Sequence, residues 1–238
     1  MVKSDIHYRC QSEGSLWVLN RQPVQQNACS EAKILDRIMS PNRPDGVVVI
    51  GVCGMAGAGK TTFCTALTSR FPDRVFRLNC DLFSALSLSE RRDRIQSAHG
   101  AGDQQRLHIE QNPQNWYDWE GIHTAVDGLR QHRKFSFDKA WNPGTGQLDA
   151  RYSLELPRSG QVIVLCDCIF LLHDPVCGWF DHTLLVECDD QLIASRREQR
   201  SQNAQAEKDA RQRQERFERP YFEQHFKPSQ IKTRLCLE

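Results

Sequence analysis

The most constraining stretch of this 238-residue chain is Gly54-Met55-Ala56-Gly57-Ala58-Gly59-Lys60-Thr61, which fits the pattern G-x-x-x-x-G-K-[ST] in full. Directly before it runs Val47-Val48-Val49-Ile50-Gly51-Val52, a short β-branched segment of the kind that forms a strand buried on both faces of a parallel sheet. Directly after it, Lys60–Arg70 reads as a helix. Strand, glycine-rich turn and helix in that order make a cradle for a polyanion. Glycines allow positive φ, so successive backbone N–H groups point inward, and the helix presents its N-terminus to the anion. In this reading Gly54 through Thr62 grip the phosphates of a nucleoside triphosphate, Lys60 reaches the β- and γ-phosphates, and the Thr61 hydroxyl holds Mg²⁺.

The rest of the composition narrows the setting. Hydrophobic residues make up 39% and charged residues 26%, which describes a globular chain. Thirty-one Lys+Arg against 30 Asp+Glu give a formal charge of +1, without the basic excess that nucleic-acid binding needs. The apolar runs at 47–52 and 162–166 are far short of a membrane span. No basic start leads into an apolar stretch, so no secretory signal is expected. The ten cysteines lack paired C-x-x-C spacing. They read as reduced, mostly structural thiols of a cytoplasmic protein.

Residues 1–30 read as a polar N-terminal extension without clear period, and residues 31–238 as the main domain, with a helix expected over 30–39. Further strands are expected at 74–79, 161–166 and 183–188, with a last one near 231–236. Helices are expected at 88–96 and 120–132, and across most of 191–226. Period-two segments at 135–138 and 151–156 flank Asn142-Pro143-Gly144-Thr145-Gly146, which predicts a hairpin. Strands alternating with helices argue for an α/β sheet covered on both faces. In such sheets ligands bind beyond the C-terminal strand ends. Asp81 and Asp167 fall at two of them. Asp81 suits orientation and deprotonation of an acceptor hydroxyl, and Asp167 suits support of the metal. Each also fits a plain helix cap or turn residue.

Taken in series, these segments resemble the uridine kinase and phosphoribulokinase-like group of P-loop kinases over about residues 35–235. The turn at 54–61 comes first. Cys80-Asp81-Leu82-Phe83 looks like that group's Asp-x-Phe segment, with the aspartate as acceptor base. Asn112 to Trp119 resembles its Pro-containing segment ending in an aspartate, here Asp118. Trp141 to Gly146 takes the place of its hairpin turn near the nucleoside base. Val164 to Leu171 resembles the acidic strand end, and Arg196-Arg197-Glu198-Gln199-Arg200 the helix that opens the phosphate lid. Cys168 stands where the group has glycine, Pro143 where many members have histidine, and Ser84 where they often have tyrosine.

The resemblance implies a three-layer α/β/α sandwich of the P-loop NTPase class, with a mainly parallel sheet and a helical lid. Lid and substrate elements fall within 81–160 and 190–226. It implies ATP and Mg²⁺ as cofactors, with Lys60, Asp81, Arg197 and Arg200 catalytic and Phe83, Asp118 and Trp141 joining Asp81 at the acceptor. The expected reaction is phosphoryl transfer to a small-molecule hydroxyl, such as that of uridine, cytidine or a related sugar-containing acceptor, with no nucleic-acid or membrane partner. Homo-oligomer formation stays open. The alternative is a nucleotide-binding regulatory protein with weak or no transfer, for which the departures at 143 and 168 and the lack of a clear Arg-Gly-Arg in the lid speak.

Overall fold

The β-branched run after Gly46 forms a strand whose inner residues, Val49, Ile50 and Val52, have no exposed surface. It is an interior strand of a seven-stranded sheet in the computed structural model, which describes residues 7–11, 16–20, 45–201, 203–226 and 233–237. The chain forms two units, residues 1–77 with 159–238, and residues 78–158.

In the first unit the strands are β1 (His7–Gln11), β2 (Leu16–Asn20), β3 (Gly46–Cys53), β7 (Gln161–Asp167), β8 (His182–Cys188) and β9 (Thr233–Leu237). Strand β4 (Val75–Asn79) starts in this unit and runs into the second. The spatial order is β1-β2-β9-β8-β3-β7-β4. β3 pairs in parallel with β7 and β8, and β9 in parallel with β8 and β2. Only β1 on β2 is shown antiparallel. The register sets Val52 opposite Asp167 and Cys53 opposite Leu185, so β3 and β7 end within a residue of each other beside the glycine-rich turn while β8 runs on to Cys188.

Helix α1 (Lys60–Arg70) buries Phe63, Cys64 and Leu67 against Ile50, Val52, Ile163 and Leu165. After β8 come α5 (Asp190–Arg200), α6 (Ala204–Arg213), one π-helical turn (Gln214–Glu218) and α7 (Arg219–His225). Tyr221 anchors α7: its oxygen accepts from the Leu172 N–H at 2.6 Å and the His173 N–H at 3.0 Å. The mainly parallel sheet flanked by helices is the expected α/β class.

The second unit holds α2 (Leu88–Gly100), α3 (Gln104–Gln111), α4 (Trp119–His132) and a hairpin of β5 (Lys134–Asn142) and β6 (Gln147–Glu155). A 3-10 turn, Cys80–Leu82, follows β4 directly. The expected hairpin, the helices near 88 and 120, and the mainly helical stretch after 191 are all present. Two differences stand out. Within 1–30, read from the sequence as an extension, β1 and β2 extend the sheet through β9. Helix α3 was not expected, because it buries none of its residues and so has no hydrophobic period. The helix expected over 30–39 lies outside the described residues.

Candidate active site

The turn between β3 and α1 has the backbone that anion binding needs. Gly54, Gly57 and Gly59 adopt φ of 146°, 86° and 105°. At Gly54 this is also a matter of space, since a Cβ there would run into the Val186 carbonyl oxygen. Gly59 occupies the N-cap of α1, no side chain caps that helix, and no acidic residue lies in its first turn. The first N–H groups of α1 are therefore left for a ligand. Lys60 folds back on the turn: its Nζ donates to the Gly54 carbonyl at 2.8 Å and the Met55 carbonyl at 3.1 Å. An ammonium parked on its own loop has its stem already over the cradle.

Thr61 and Asp167, both assigned to a metal from the sequence, lie side by side. The Thr61 hydroxyl donates to Asp167 Oδ2 at 3.2 Å. Asp167 is 2% exposed and forms a bidentate pair with Arg77 of β4, at 2.8 Å from Nε and 2.7 Å from Nη2. A hydroxyl and a carboxylate side by side at a phosphate cradle fit Mg²⁺, which takes one or two protein oxygens and fills the rest with phosphate and water. Cys53 and Cys64, nearby in the core, are free thiols whose burial pushes their pKa up, to about 12 for Cys53. They are no nucleophiles.

The helices after β8 bracket the turn from outside. Arg196 Nη1 donates to the Gly57 carbonyl at 3.0 Å. Gln214 Nε2 donates to the Ala56 carbonyl at 2.7 Å, and Glu218 Oε2 accepts from the Ala56 N–H at 2.8 Å. Glu218 is 4% exposed, and burial raises its pKa against the opposing pull of that N–H and of Lys60. Of the two arginines expected to act in catalysis, Arg197 donates to Glu207 at 2.9 Å and to Gln214, and Arg200 lies exposed at the end of α5. A cavity of about 370 Å³ opens beside Met55 and Ala58, walled by Val186, Cys188, Ile193 and Phe222.

In the second unit Asp81 is exposed and accepts from the Tyr117 hydroxyl at 3.1 Å. Phe83 is buried, stacked on Phe137 at 4.5 Å. Asp118 caps α4 by accepting from the Gly121 N–H at 2.9 Å. Trp141 stacks on the Arg91 guanidinium at 4.5 Å, and Trp116 covers the same guanidinium at 4.8 Å. Sequence reasoning missed Arg77, Gln214 and Glu218 in the first unit and Arg91 in the second. Only Arg77 left a signal, a charge inside a strand that is otherwise largely apolar.

The family model described as "AAA domain" matches residues 50–218, from β3 through the π-helical turn. The chain belongs to this family. Solved structures extend the likeness to fold. A candidate fructose transport system kinase from Silicibacter sp. TM1040 matches with a TM-score of 0.58 at 16% identity, covering 86% of this chain and 95% of that one. A candidate uridine kinase from Bacillus stearothermophilus matches with a TM-score of 0.58 at 14% identity, covering 85% and 94%. Phosphoribulokinase from Rhodobacter spheroides gives 0.53 at 10% identity, covering 76% and 68%. The AAA-domain chain thus has the P-loop kinase fold that its motifs resemble. Disease resistance protein SUMM2 of Arabidopsis thaliana is 27% identical over 82 residues, 34% of this chain, which spans only 9% of that relative's length. Among the described residues no helix is long and apolar enough to cross a membrane.

Proposed function

We propose that this AAA-domain protein is an ATP-dependent kinase that phosphorylates a hydroxyl of a small molecule, with a nucleoside such as uridine or cytidine, or a related sugar-containing compound, as acceptor. The observation that carries this is the uncapped start of α1 behind three positive-φ glycines, with Lys60 held over the turn and Thr61 against Asp167. The cavity beside Met55 is in the size range of ligand pockets and suits the flat, apolar face of a nucleotide base.

In this reading the turn's N–H groups and the Lys60 ammonium neutralise charge on the transferring phosphoryl group. Thr61 and Asp167 would hold Mg²⁺, which when bound spreads phosphate charge. Asp81 orients the acceptor hydroxyl. The acceptor oxygen bonds to the γ-phosphorus, the bond to the ADP oxygen breaks, and the hydroxyl proton goes to Asp81. Catalysis is then mainly positioning and electrostatics.

The test is ADP formation with a panel of nucleosides and sugars, together with two variants. Lys60→Ala is expected to abolish turnover. Asp81→Ala is expected to abolish turnover while ATP still binds in calorimetry. Near-normal phosphorylation by Asp81→Ala rejects the base assignment. A nucleotide-binding regulatory protein is the second reading, favoured by the engagement of Arg197 with Glu207 and Gln214. Acceptor-stimulated ADP formation would reject it.

A further inference from the structure

Arg91 of α2 is a cation with aromatic neighbours and, among the described residues, no counter-ion. Its guanidinium lies between Trp116 at 4.8 Å and Trp141 at 4.5 Å. Nη2 donates to Ser84 Oγ at 2.5 Å, and the Ser84 hydroxyl donates in turn to the Leu86 carbonyl oxygen at 2.6 Å. Nε is buried without a hydrogen-bond partner. Among the described residues no carboxylate pairs with Arg91. Arginine cannot shed its charge to escape such a place, and a half-buried cation without an anion is costly. Two tryptophan faces repay part of that through the ring quadrupoles. They also fix the plane of the guanidinium, which preorganises its remaining N–H donors.

The place of this cation in the second unit gives it meaning. Ser84, which holds Arg91, forms a strand bridge with Tyr117. Tyr117 donates its hydroxyl proton to Asp81. Backbone bonds lock the same segments: the Ala85 N–H donates to the Trp116 carbonyl at 2.8 Å, and the Asp118 N–H to the Phe83 carbonyl at 3.0 Å. One short network thus ties the proposed base to this arginine, which has no anion among the described residues.

We propose that Arg91, clamped between Trp116 and Trp141, binds an oxyanion on the acceptor, so that the substrate is an alcohol carrying a carboxylate or a phosphate group rather than a neutral nucleoside. The inference rests on the kinase reading for Asp81 but not for its own binding step. A planar guanidinium with spare donors matches either oxyanion in a two-pronged geometry. The neutral hydroxyl of the same molecule is left for Asp81.

The experiment uses the full chain and three sets of probes. The neutral set is uridine, fructose and glycerol. The carboxylate set is glycerate and gluconate. The phosphate set is glycerol 3-phosphate and ribose 5-phosphate. Two readouts are taken, acceptor-stimulated ADP formation and titration of intrinsic tryptophan fluorescence. We expect members of one charged set to change the fluorescence saturably and to stimulate ADP formation, while the neutral set does neither. The set that works separates carboxylate from phosphate. Loss of a charged hydrogen-bonding partner predicts that Arg91→Gln raises the acceptor KM by about 10- to 100-fold, with the ATP KM unchanged. Arg91→Lys should recover part of the loss. A charged probe that binds by fluorescence yet yields no ADP keeps the anion site and sinks the kinase reading. A neutral acceptor phosphorylated as well as the charged ones overturns the anion site and keeps the kinase. So does an acceptor KM that Arg91→Gln leaves unmoved. No fluorescence response to any charged probe also overturns the proposal, whether or not the variant folds.

Discussion

The Arg77–Asp167 pair allows a test whose sign depends on burial. Asp167 is 2% exposed and the Arg77 side chain 23%, so the carboxylate is the deeper partner. Removing one member of a buried pair leaves the other uncompensated, at a cost of about 3–5 kcal/mol. Arg77→Met leaves the carboxylate in the dry interior, with the Thr61 hydroxyl still donating to it. That variant belongs at the upper end, about 4–5 kcal/mol. Asp167→Asn leaves a guanidinium that reaches solvent and keeps an acceptor oxygen for Thr61, so its cost is lower, about 1–3 kcal/mol. The double variant removes both charges and should cost less than the two singles together, with a coupling of about 1–3 kcal/mol. At about 2–4 °C per kcal/mol for a chain of this size, Arg77→Met should lower Tm by roughly 8–20 °C. Thermal and urea unfolding of the four proteins measures the cycle. Equal single costs that simply add would refute the reasoning, for they would mean that the pair is as wet as a surface ion pair. A destabilisation larger for Asp167→Asn than for Arg77→Met would refute it too.

Two further perturbations address the turn itself. Gly54→Ala places a Cβ at φ 146° against the Val186 carbonyl, and should cost at least ~2 kcal/mol and weaken ATP binding, measured by urea unfolding and calorimetry. Wild-type stability in that variant would show that β8 yields. Glu218→Gln tests the buried carboxylate that accepts from Ala56. Its pKa is raised on folding by burial, so the folded chain holds that proton more tightly than the unfolded one. The charge penalty is complete above the folded pKa, shrinks as the pH falls through it, and is gone below the unfolded value. The stability of Glu218→Gln relative to wild type should therefore be greatest near neutral pH and decline toward about pH 4, read from urea midpoints. A gap that widens on acidification would reverse the assignment.

What the sequence disclosed follows from the range of the forces involved. β3, β7 and β8 are continuous apolar runs buried on both faces, and the glycine-rich turn is contiguous, so local pattern suffices to find them. The pairing of β1 and β2 onto β9 joins the two ends of the chain, and no local period marks it. Helix α3 packs no buried residue, and its only local sign is the cap at Asp103, which accepts from the Arg106 N–H at 2.9 Å. Arg91 lies in the run Glu90-Arg91-Arg92-Asp93-Arg94, where nothing local distinguishes it. What singles it out is two tryptophans brought in from distant segments.

The helix starts carry the same lesson further. α2, α3, α4, α5 and α6 are each capped by a side chain, from Ser87, Asp103, Asp118, Asp189 and Asn203 in turn. A serine, aspartate or asparagine at that place is what sequence rules lead one to expect, and here it reports stability. α1 breaks the rule with a left-handed glycine and no side-chain cap, and so forgoes roughly a few tenths of a kcal/mol that those residues supply over glycine. Arg91 breaks a second rule by sitting half-buried with no anion paired to it among the described residues. α7 also lacks a side-chain cap but continues directly from the π-helical turn, so α1 is the helix start that stands both uncapped and behind a positive-φ glycine turn, where a polyanion could repair it. The second violation invites the same reading as the first: under the proposals made above, a phosphate donor would complete α1 and an anionic acceptor would complete Arg91.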